Sequence, residues 1–343
     1  MELAARAAGR ALLVDPELEA EIGRVSRAIA ERLQRPYADF AEGVRKQASV
    51  PEGGLVIGIA GTAPGIVLEA GSVVVLLPGP PSELRRLWAP ALESAPVQAV
   101  LARAQAPERR VLRFYGASES TVAKALADAG GEGDGVTATI CARDFEFHVD
   151  LVADDAGHER AERLAADLRE ALGEHLFAED DRPVEELVLE ACRERGLTLA
   201  AAESCTGGLV AARLTSVPGS SDVFRGGVVT YANDLKTGLV GVPDELLERY
   251  GAVSAEVAAA MAAGARERLG ADVAVAVTGV AGPGGGSPEK PVGLVYLHAE
   301  APEGGRSLDL TLPGNRAGVR GRAAASALHL VRALLAQNRH KHA

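Results

Sequence analysis

From Pro183 to the C-terminus the sequence alternates short apolar runs with helical segments, and this restricts the fold more than any other feature. Leu197–Ala202, Gly226–Tyr231, Val273–Val277, Val292–His298 and Leu308–Leu312 have the length and composition of strands. Val184–Arg195, Leu209–Thr215, a segment from Ser254 to Leu269 and Ala317–Gln337 have helical spacing. Asn233 is placed to cap a short helix carrying Lys236. Pro183 and Gly196 bracket the opening helix as first-turn and stop residues. Strands that alternate with helices bury a sheet between two helical layers. A three-layer α/β domain is therefore predicted for residues 183–343.

Two further regions precede it. In residues 106–182, a strand at Arg110–Tyr115 leads to a helix from Ser118 to Ala129, with Ser118 or Ser120 as its cap. Val136–Cys141 and Phe145–Val152 form a hairpin pattern around Ala142-Arg-Asp144, and a charged helix runs from His158 to Leu172. This βαββα order predicts a small α+β connector domain. His148, His158 and His175 have no partner at metal-ligand spacing. Residues 1–105 begin with a helical face of Leu18, Ile22, Val25, Ile29 and Leu33. The segments Gly54–Ala60 and Ile66–Glu69 follow, and then Ser72–Leu77, which is read as a buried strand. Pro78-Gly-Pro-Pro81 with Ser82 and Glu83 opens a helix, either as a simple tight turn or as an anion site.

Composition limits the function classes. A net charge of −11 over 343 residues lacks the basic face that a nucleic-acid binder needs, and no nucleic-acid partner is expected. Cys141, Cys192 and Cys205 are an odd, widely spaced set, which suggests neither zinc nor a disulfide framework. No signal peptide and no apolar run of membrane-spanning length is found, so a cytoplasmic protein with no membrane partner is predicted.

The chemistry is concentrated between Leu197 and Lys236. Ser204, Ser221, Tyr231 and Lys236 stand near the ends of strand runs, beside glycine turns, and no triad histidine accompanies them. Singly, Ser204 is a helix cap, Ser221 a turn residue, Lys236 a solvated charge and Tyr231 a core ring. Together they can form a catalytic set if their loops share one end of the sheet. A serine hydroxyl attacks only when a neighbour takes its proton, and a lysine does so once desolvation frees its amine. Tyr231 can relay the proton or hold the amine, and glycine-turn N–H groups can stabilise an oxyanion. Cys205 is read as a packing residue. Gly282–Gly286 lacks the Gly-Lys-Ser/Thr of a Walker loop, and no metal or cofactor is called for.

A family resemblance extends this reading. Ala202-Glu-Ser-Cys-Thr-Gly-Gly208, Pro218-Gly-Ser-Ser221, Thr230-Tyr-Ala-Asn233 with Lys236, Gly251-Ala-Val-Ser254, Thr278-Gly-Val-Ala-Gly-Pro283 and Lys290-Pro-Val-Gly293 resemble the C-terminal domain of the CinA family in order and spacing. The resemblance implies a nicotinamide mononucleotide deamidase that hydrolyses the pyridine carboxamide with a Ser/Lys pair, in pyridine nucleotide salvage. It implies Lys236 as general base with Tyr231 beside it, and Ser221 or Ser204 as the catalytic serine. Ser221 is favoured as nucleophile, with Ser204 polarising or positioning the amide. Thr278 and Gly279 would line the site, Arg316 would contact the phosphate, and Lys290 would assist or merely solvate its loop. A small-molecule nucleotide substrate and a homodimer are likewise implied. Residues 106–182 occupy the place of the family's KH-like domain, read here as structural because the loop Gly130–Gly135 is acidic. Arg45–Ala48, Gly61–Gly65 and Leu77–Glu83 resemble the second half of the family's molybdopterin-binding-like α/β domain. The Gly-Gly-Leu-Gly-Pro-Thr-Asp-Asp type loop of the first half is not in this sequence. A partial front domain without the family's metal-dependent pyrophosphatase activity is expected. A non-enzymatic nucleotide-binding protein is the contrasting reading.

Overall fold

The structure, a computed structural model, describes residues 1–104, 107–143 and 145–337. It divides into two compact units, Met1–Ala106 and Pro107–Ala343.

The front unit contains α1 (Glu2–Ala7), β1 (Leu12–Val14), α2 (Pro16–Leu33), α3 (Ala38–Gln47), β2 (Ser49–Pro51), β3 (Leu55–Ala60), β4 (Ala63–Ala70), β5 (Ser72–Leu76), α4 (Pro81–Glu93) and α5 (Ala95–Leu101). Its pairings are antiparallel: β1 with β2, and a meander β3-β4-β5. Asp15 caps α2 through the Glu17 and Leu18 N–H groups, with Pro16 in the first turn. The buried face of α2 is Leu18, Ile22, Gly23, Ser26 and Ala30; Leu33, expected inside, is exposed at the helix end. The run read as a buried strand is β5, a half-exposed edge, whereas the central β4 carries buried Ile66, Val67 and Leu68. An apolar run of five or six residues does not distinguish an edge strand from a central one.

The second unit opens with β6 (Glu108–Phe114), α6 (Glu119–Asp128), β7 (Val136–Arg143), β8 (Glu146–Ala153), α7 (His158–Leu172) and β9 (Leu176–Ala178). They form an antiparallel sheet β7-β8-β6-β9 covered by two helices, with Ser118 as the α6 cap. β9 adds a short strand to the predicted order. Asp144 of the predicted hairpin lies outside the described residues.

The remainder comprises α8 (Val184–Glu194), β10 (Leu199–Glu203), α9 (Leu209–Thr215), a 3-10 turn (Ser220–Asp222), β11 (Phe224–Val229), α10 (Asn233–Val240), α11 (Asp244–Tyr250), α12 (Ala255–Arg268), β12 (Val273–Gly279), β13 (Leu294–Ala301), β14 (Gly304–Thr311) and α13 (Arg316–Gln337). Asn233 is the first helical residue of α10 rather than its cap, which is Ala232. The sheet order is β11-β10-β12-β13-β14; β11, β10 and β12 are parallel, and β13 and β14 antiparallel. The two-residue period of the strands sorts the core. Leu199, Ala201, Val275, Val277, Val295 and Leu297 pack with α8, α9 and α13. Ala200, Ala202, Ala274 and Ala276 face Val240, Val257 and Met261 on the other side. Gly264 of α12 passes so close to the Val240 carbonyl that a Cβ there would lie 1.6 Å from its oxygen. Small residues thus let α10 and α12 pack tightly behind the strand ends that carry the site.

Two contacts dock the middle sheet onto α13. Tyr115 Oη donates to Ser326 Oγ at 2.7 Å, and its ring stacks on His329. The buried Glu146 carboxylate takes Arg113 at 2.8 Å and His329 Nε2 at 2.9 Å. Hydrogen bonds from the histidines and the Arg113 charge outweigh burial and hold Glu146 down at about 2. Burial lowers His329 to about 4. His148, read from sequence as isolated, belongs to this buried cluster.

Candidate active site

The C-terminal ends of β10, β11 and β12 diverge into loops, and hydrogen bonds fix how they do so. Thr230 N–H donates to Glu203 O at 2.8 Å, and Ser204 N–H to Val277 O at 2.9 Å. The residues that follow β10 and β11 thus stay tied to neighbouring strands. Ser204 begins a turn in which Gly207 and Gly208 have φ of +59° and +98°, conformations that side-chain-bearing residues rarely adopt. Gly208 is the formal cap of α9 and lacks a side chain to serve it. The Glu203 carboxylate does so instead, accepting from Gly208 N at 2.9 Å, Val210 N at 3.1 Å and Ala211 N at 2.8 Å. Ser204, read singly as a helix cap, is therefore free for another task.

Its hydroxyl meets Lys236. From the first turn of α10 its side chain runs inward until it is only 1% exposed. Its Nζ lies 3.1 Å from Ser204 Oγ, 2.8 Å from Thr230 O and 3.4 Å from Tyr231 O. None of these partners is a carboxylate. Burial without a counter-charge disfavours the ammonium form, and the lysine is lowered from its ordinary value of 10.5. A neutral amine has two N–H bonds and one lone pair. The two carbonyls can take the N–H groups, which leaves the lone pair to accept the Ser204 proton. The adjacent Cys205 is buried and pushed up to about 11, so it stays a thiol at neutral pH and packs, as expected.

Ser204 and Lys236 open into a cleft of about 280 Å³, also lined by Tyr231, Thr278, Gly279 and Arg316. Thr278 Oγ donates to Ala252 O at 2.7 Å, so its hydroxyl is engaged by the wall. Gly279 is required by close approach: a Cβ would lie 2.7 Å from Leu294 O. Arg316, the first residue of α13, donates to Gly282 O at 2.7 Å and to Tyr231 Oη at 2.8 Å. Two hydrogen bonds thus fix the exposed guanidinium at the rim, and the guanidinium has further N–H donors.

Three sequence-based placements change. Ser221 is not in this cleft. It sits in the exposed turn before β11, beside the start of β10, where Leu199 N–H meets Val223 O. Because β10 and β11 run parallel, the turn entering one and the loop leaving the other lie at opposite ends. Five strand residues, about 16 Å, intervene. The two serine loops therefore do not share one end of the sheet within the chain. Tyr231 is 58% exposed rather than in the core. It meets the lysine through its backbone carbonyl, while its phenol pairs with Arg316, so its hydroxyl is no proton relay to Lys236. Lys290 donates to Tyr250 O and does not line the cleft.

Sequence reasoning missed Glu203 and Arg320. From α13, Arg320 donates Nε–H to Cys205 O at 3.0 Å and another N–H to Thr206 O at 2.7 Å. A lone acid ending an otherwise apolar strand was the available signal for Glu203. Arg320 had none.

The pattern of the CinA C-terminal domain matches residues 181–335, and that of the damage-inducible protein CinA KH domain matches residues 109–178. A CinA-like protein of Mycolicibacterium gilvum is 43% identical over 343 residues, covering 98% of this chain and 80% of that relative. The chain belongs to the CinA family. A CinA-like protein of Mycobacterium tuberculosis is 41% identical, with 98% and 79% of the two chains covered. Among solved structures, the competence/damage inducible protein CihA from Agrobacterium tumefaciens is 44% identical. It matches 46% of this chain and 99% of its own, with a TM-score of 0.43. This CinA chain thus has its serine–lysine cleft in the segment matched by the C-terminal pattern. Among its described residues no group of three or more His, Cys, Asp or Glu is placed to hold a metal, and no helix is long and apolar enough to cross a membrane.

Proposed function

We propose that this CinA-family protein is a nicotinamide mononucleotide amidohydrolase of pyridine nucleotide salvage, with Ser204 as nucleophile and Lys236 as general base. The observation that carries the reading is Ser204 Oγ at 3.1 Å from a buried lysine amine that has no carboxylate partner among the described residues. Lys236 accepts the hydroxyl proton as Oγ attacks the carboxamide carbon. The tetrahedral intermediate collapses, the C–N bond breaks, and the lysine ammonium returns the proton to the leaving nitrogen as ammonia departs. A water molecule, deprotonated by the same amine, then attacks the ester and releases the nicotinate carboxylate and the free serine. The step uses no metal or cofactor.

Charge supports a phosphate-bearing substrate. Arg316 stands at the rim, held by Tyr231 and Gly282, and a guanidinium binds phosphate through paired hydrogen bonds. The cleft volume is near the lower end of the roughly 300–1,000 Å³ common for small-ligand sites, which favours a mononucleotide over a larger partner. Nucleic acid is no part of this proposal: the loop Gly130–Gly135 carries Glu132 and Asp134, and Arg160 occupies its Gly130, Gly131 and Gly133 carbonyls. We further propose that the protein is cytoplasmic and a homodimer, the dimer supported by exposed apolar Val229 on the edge strand β11 and Leu235 and Leu239 on α10.

The test is ammonia release from nicotinamide mononucleotide by the full chain, with Ser204→Ala and Lys236→Ala alongside. Stoichiometric ammonia and nicotinate mononucleotide from the wild type, lost in both variants, is expected. Tight binding of the nucleotide without any ammonia would replace the enzyme by the nucleotide-binding reading.

A further inference from the structure

The Ser204–Gly208 turn is held by two charged side chains of opposite sign, neither of which lines the cleft. Glu203 takes three N–H groups on the α9 side, and Arg320 takes two carbonyls of the turn itself. We propose that Glu203 and Arg320 are positioning residues that lock the Ser204 turn and thereby hold the serine hydroxyl on the Lys236 amine. The proposal rests on the Ser204/Lys236 reading and extends it to groups that never touch substrate.

The physical case begins with Glu203. A carboxylate at 1% exposure carries a large desolvation cost unless hydrogen bonds offset it. No ion pair to Glu203 occurs among the described residues; all its side-chain partners are N–H groups of residues 208–211. Its backbone carbonyl meanwhile receives Thr230 N–H, and Thr230 O receives Lys236. One residue therefore ties the turn that carries Ser204 to the strand end whose Thr230 carbonyl accepts from Lys236. Arg320 completes the restraint. A trans peptide is planar, with its C=O and N–H antiparallel, so pinning the Cys205 and Thr206 carbonyls restrains the 205–206 and 206–207 peptide planes in the turn that leads out of Ser204. Gly207 and Gly208, at positive φ, would otherwise leave this turn conformationally loose. Catalysis by a hydrogen-bonded pair is sensitive to such looseness, because a displacement of about 1 Å can reduce a rate on the order of 100-fold.

Labelling by phenylmethanesulfonyl fluoride tests this independently of the natural substrate. Serine Oγ attacks sulfur, fluoride leaves, the serine proton passes to the base, and intact-protein mass reads the sulfonate ester. Ser204 of the wild type should label at a rate that Glu203→Gln and Arg320→Met each reduce at least 10-fold. Arg320→Lys should be intermediate, and added guanidinium should restore Arg320→Gly in a saturable way. With nicotinamide mononucleotide, kcat should fall while KM changes less than about twofold. Leu189→Ala, a buried core change on α8, which supplies none of the hydrogen bonds that hold the turn, separates positioning from general destabilisation. Assayed well below its melting temperature, it should keep the wild-type labelling rate. Undiminished labelling in Glu203→Gln and Arg320→Met, or an equal loss in Leu189→Ala, would overturn the proposal and leave the Ser/Lys reading intact. A wild-type Ser204 that does not label removes that reading and the proposal with it.

Discussion

Two glycine-bearing turns of this chain carry serines, and they lie at opposite ends of the same pair of strands. The turn after β10 has Ser204 against a buried lysine, with its peptide groups held by Glu203 and Arg320. The turn before β11 has an exposed Ser221, and Arg193 donates to its Gly219 carbonyl at 3.2 Å. In sequence the two are equally plausible: each is a short polar segment beside glycine, within forty residues of Lys236. The difference shows that in a parallel sheet the groups a serine can meet depend on which end of a strand its loop occupies. Loops at the carboxyl ends converge on one crevice, and turns at the amino ends do not.

The comparison breaks most decisively through the pair itself. Ser204→Ala and Lys236→Met should each lower kcat for ammonia release by about 10³-fold or more, and the double variant should be little worse than either. Nearly additive losses would mean that the two residues do not act as one unit. The pH profile comes next. In the proposed mechanism Lys236 acts as the neutral amine, so kcat should rise with pH and level off above the lysine's own value, which burial holds below 10.5. Lys236→Arg, which stays protonated, should be inactive across the whole range.

Arg316→Ala should mainly raise KM, by about 10-fold, as one charge-assisted phosphate contact is lost. A nucleoside lacking the phosphate should show no such difference between variant and wild type. A smaller effect tests the brace through α13. Glu146 has its folded-state value depressed to about 2, so its stabilisation is present above 4.5 and is lost as pH falls toward 2. His329 is lowered to about 4 from 6.5, so in that window the unfolded chain binds the extra proton and stability also drops on acidification. The melting temperature should therefore fall from about pH 6.5 downward, and His329→Phe should flatten the upper part of that fall. The least effect belongs to Ser221→Ala. An exposed turn serine should change stability by no more than about 0.5 kcal/mol and ammonia release by less than about twofold. A large loss there would reinstate Ser221 and require it to reach the cleft by a route other than its own chain.

Much of the second unit was legible in the sequence because local rules and tertiary environment agree there. The apolar runs became β10 and β12, and the helix read from Ser254 became α12, which Ser254 caps. Reading was poorer where the same local signal fits two environments. The run Ser72–Leu77 became a half-exposed edge strand, and Leu33 in the helical pattern came to lie at an exposed end. Lys236 is the extreme case, since nothing in Asn233-Asp-Leu-Lys distinguishes a surface charge from a buried amine.

By itself, the sequence determined the alternation of strands and helices, the glycine turns and the residue types able to hydrolyse an amide, because periodicity and backbone freedom are local properties. The tertiary structure decided which serine meets the lysine, why that lysine lacks a counter-charge, and that Arg320, more than a hundred residues downstream, holds the turn. Those outcomes depend on strand direction and on which elements pack together, and neither is encoded in any short stretch of chain.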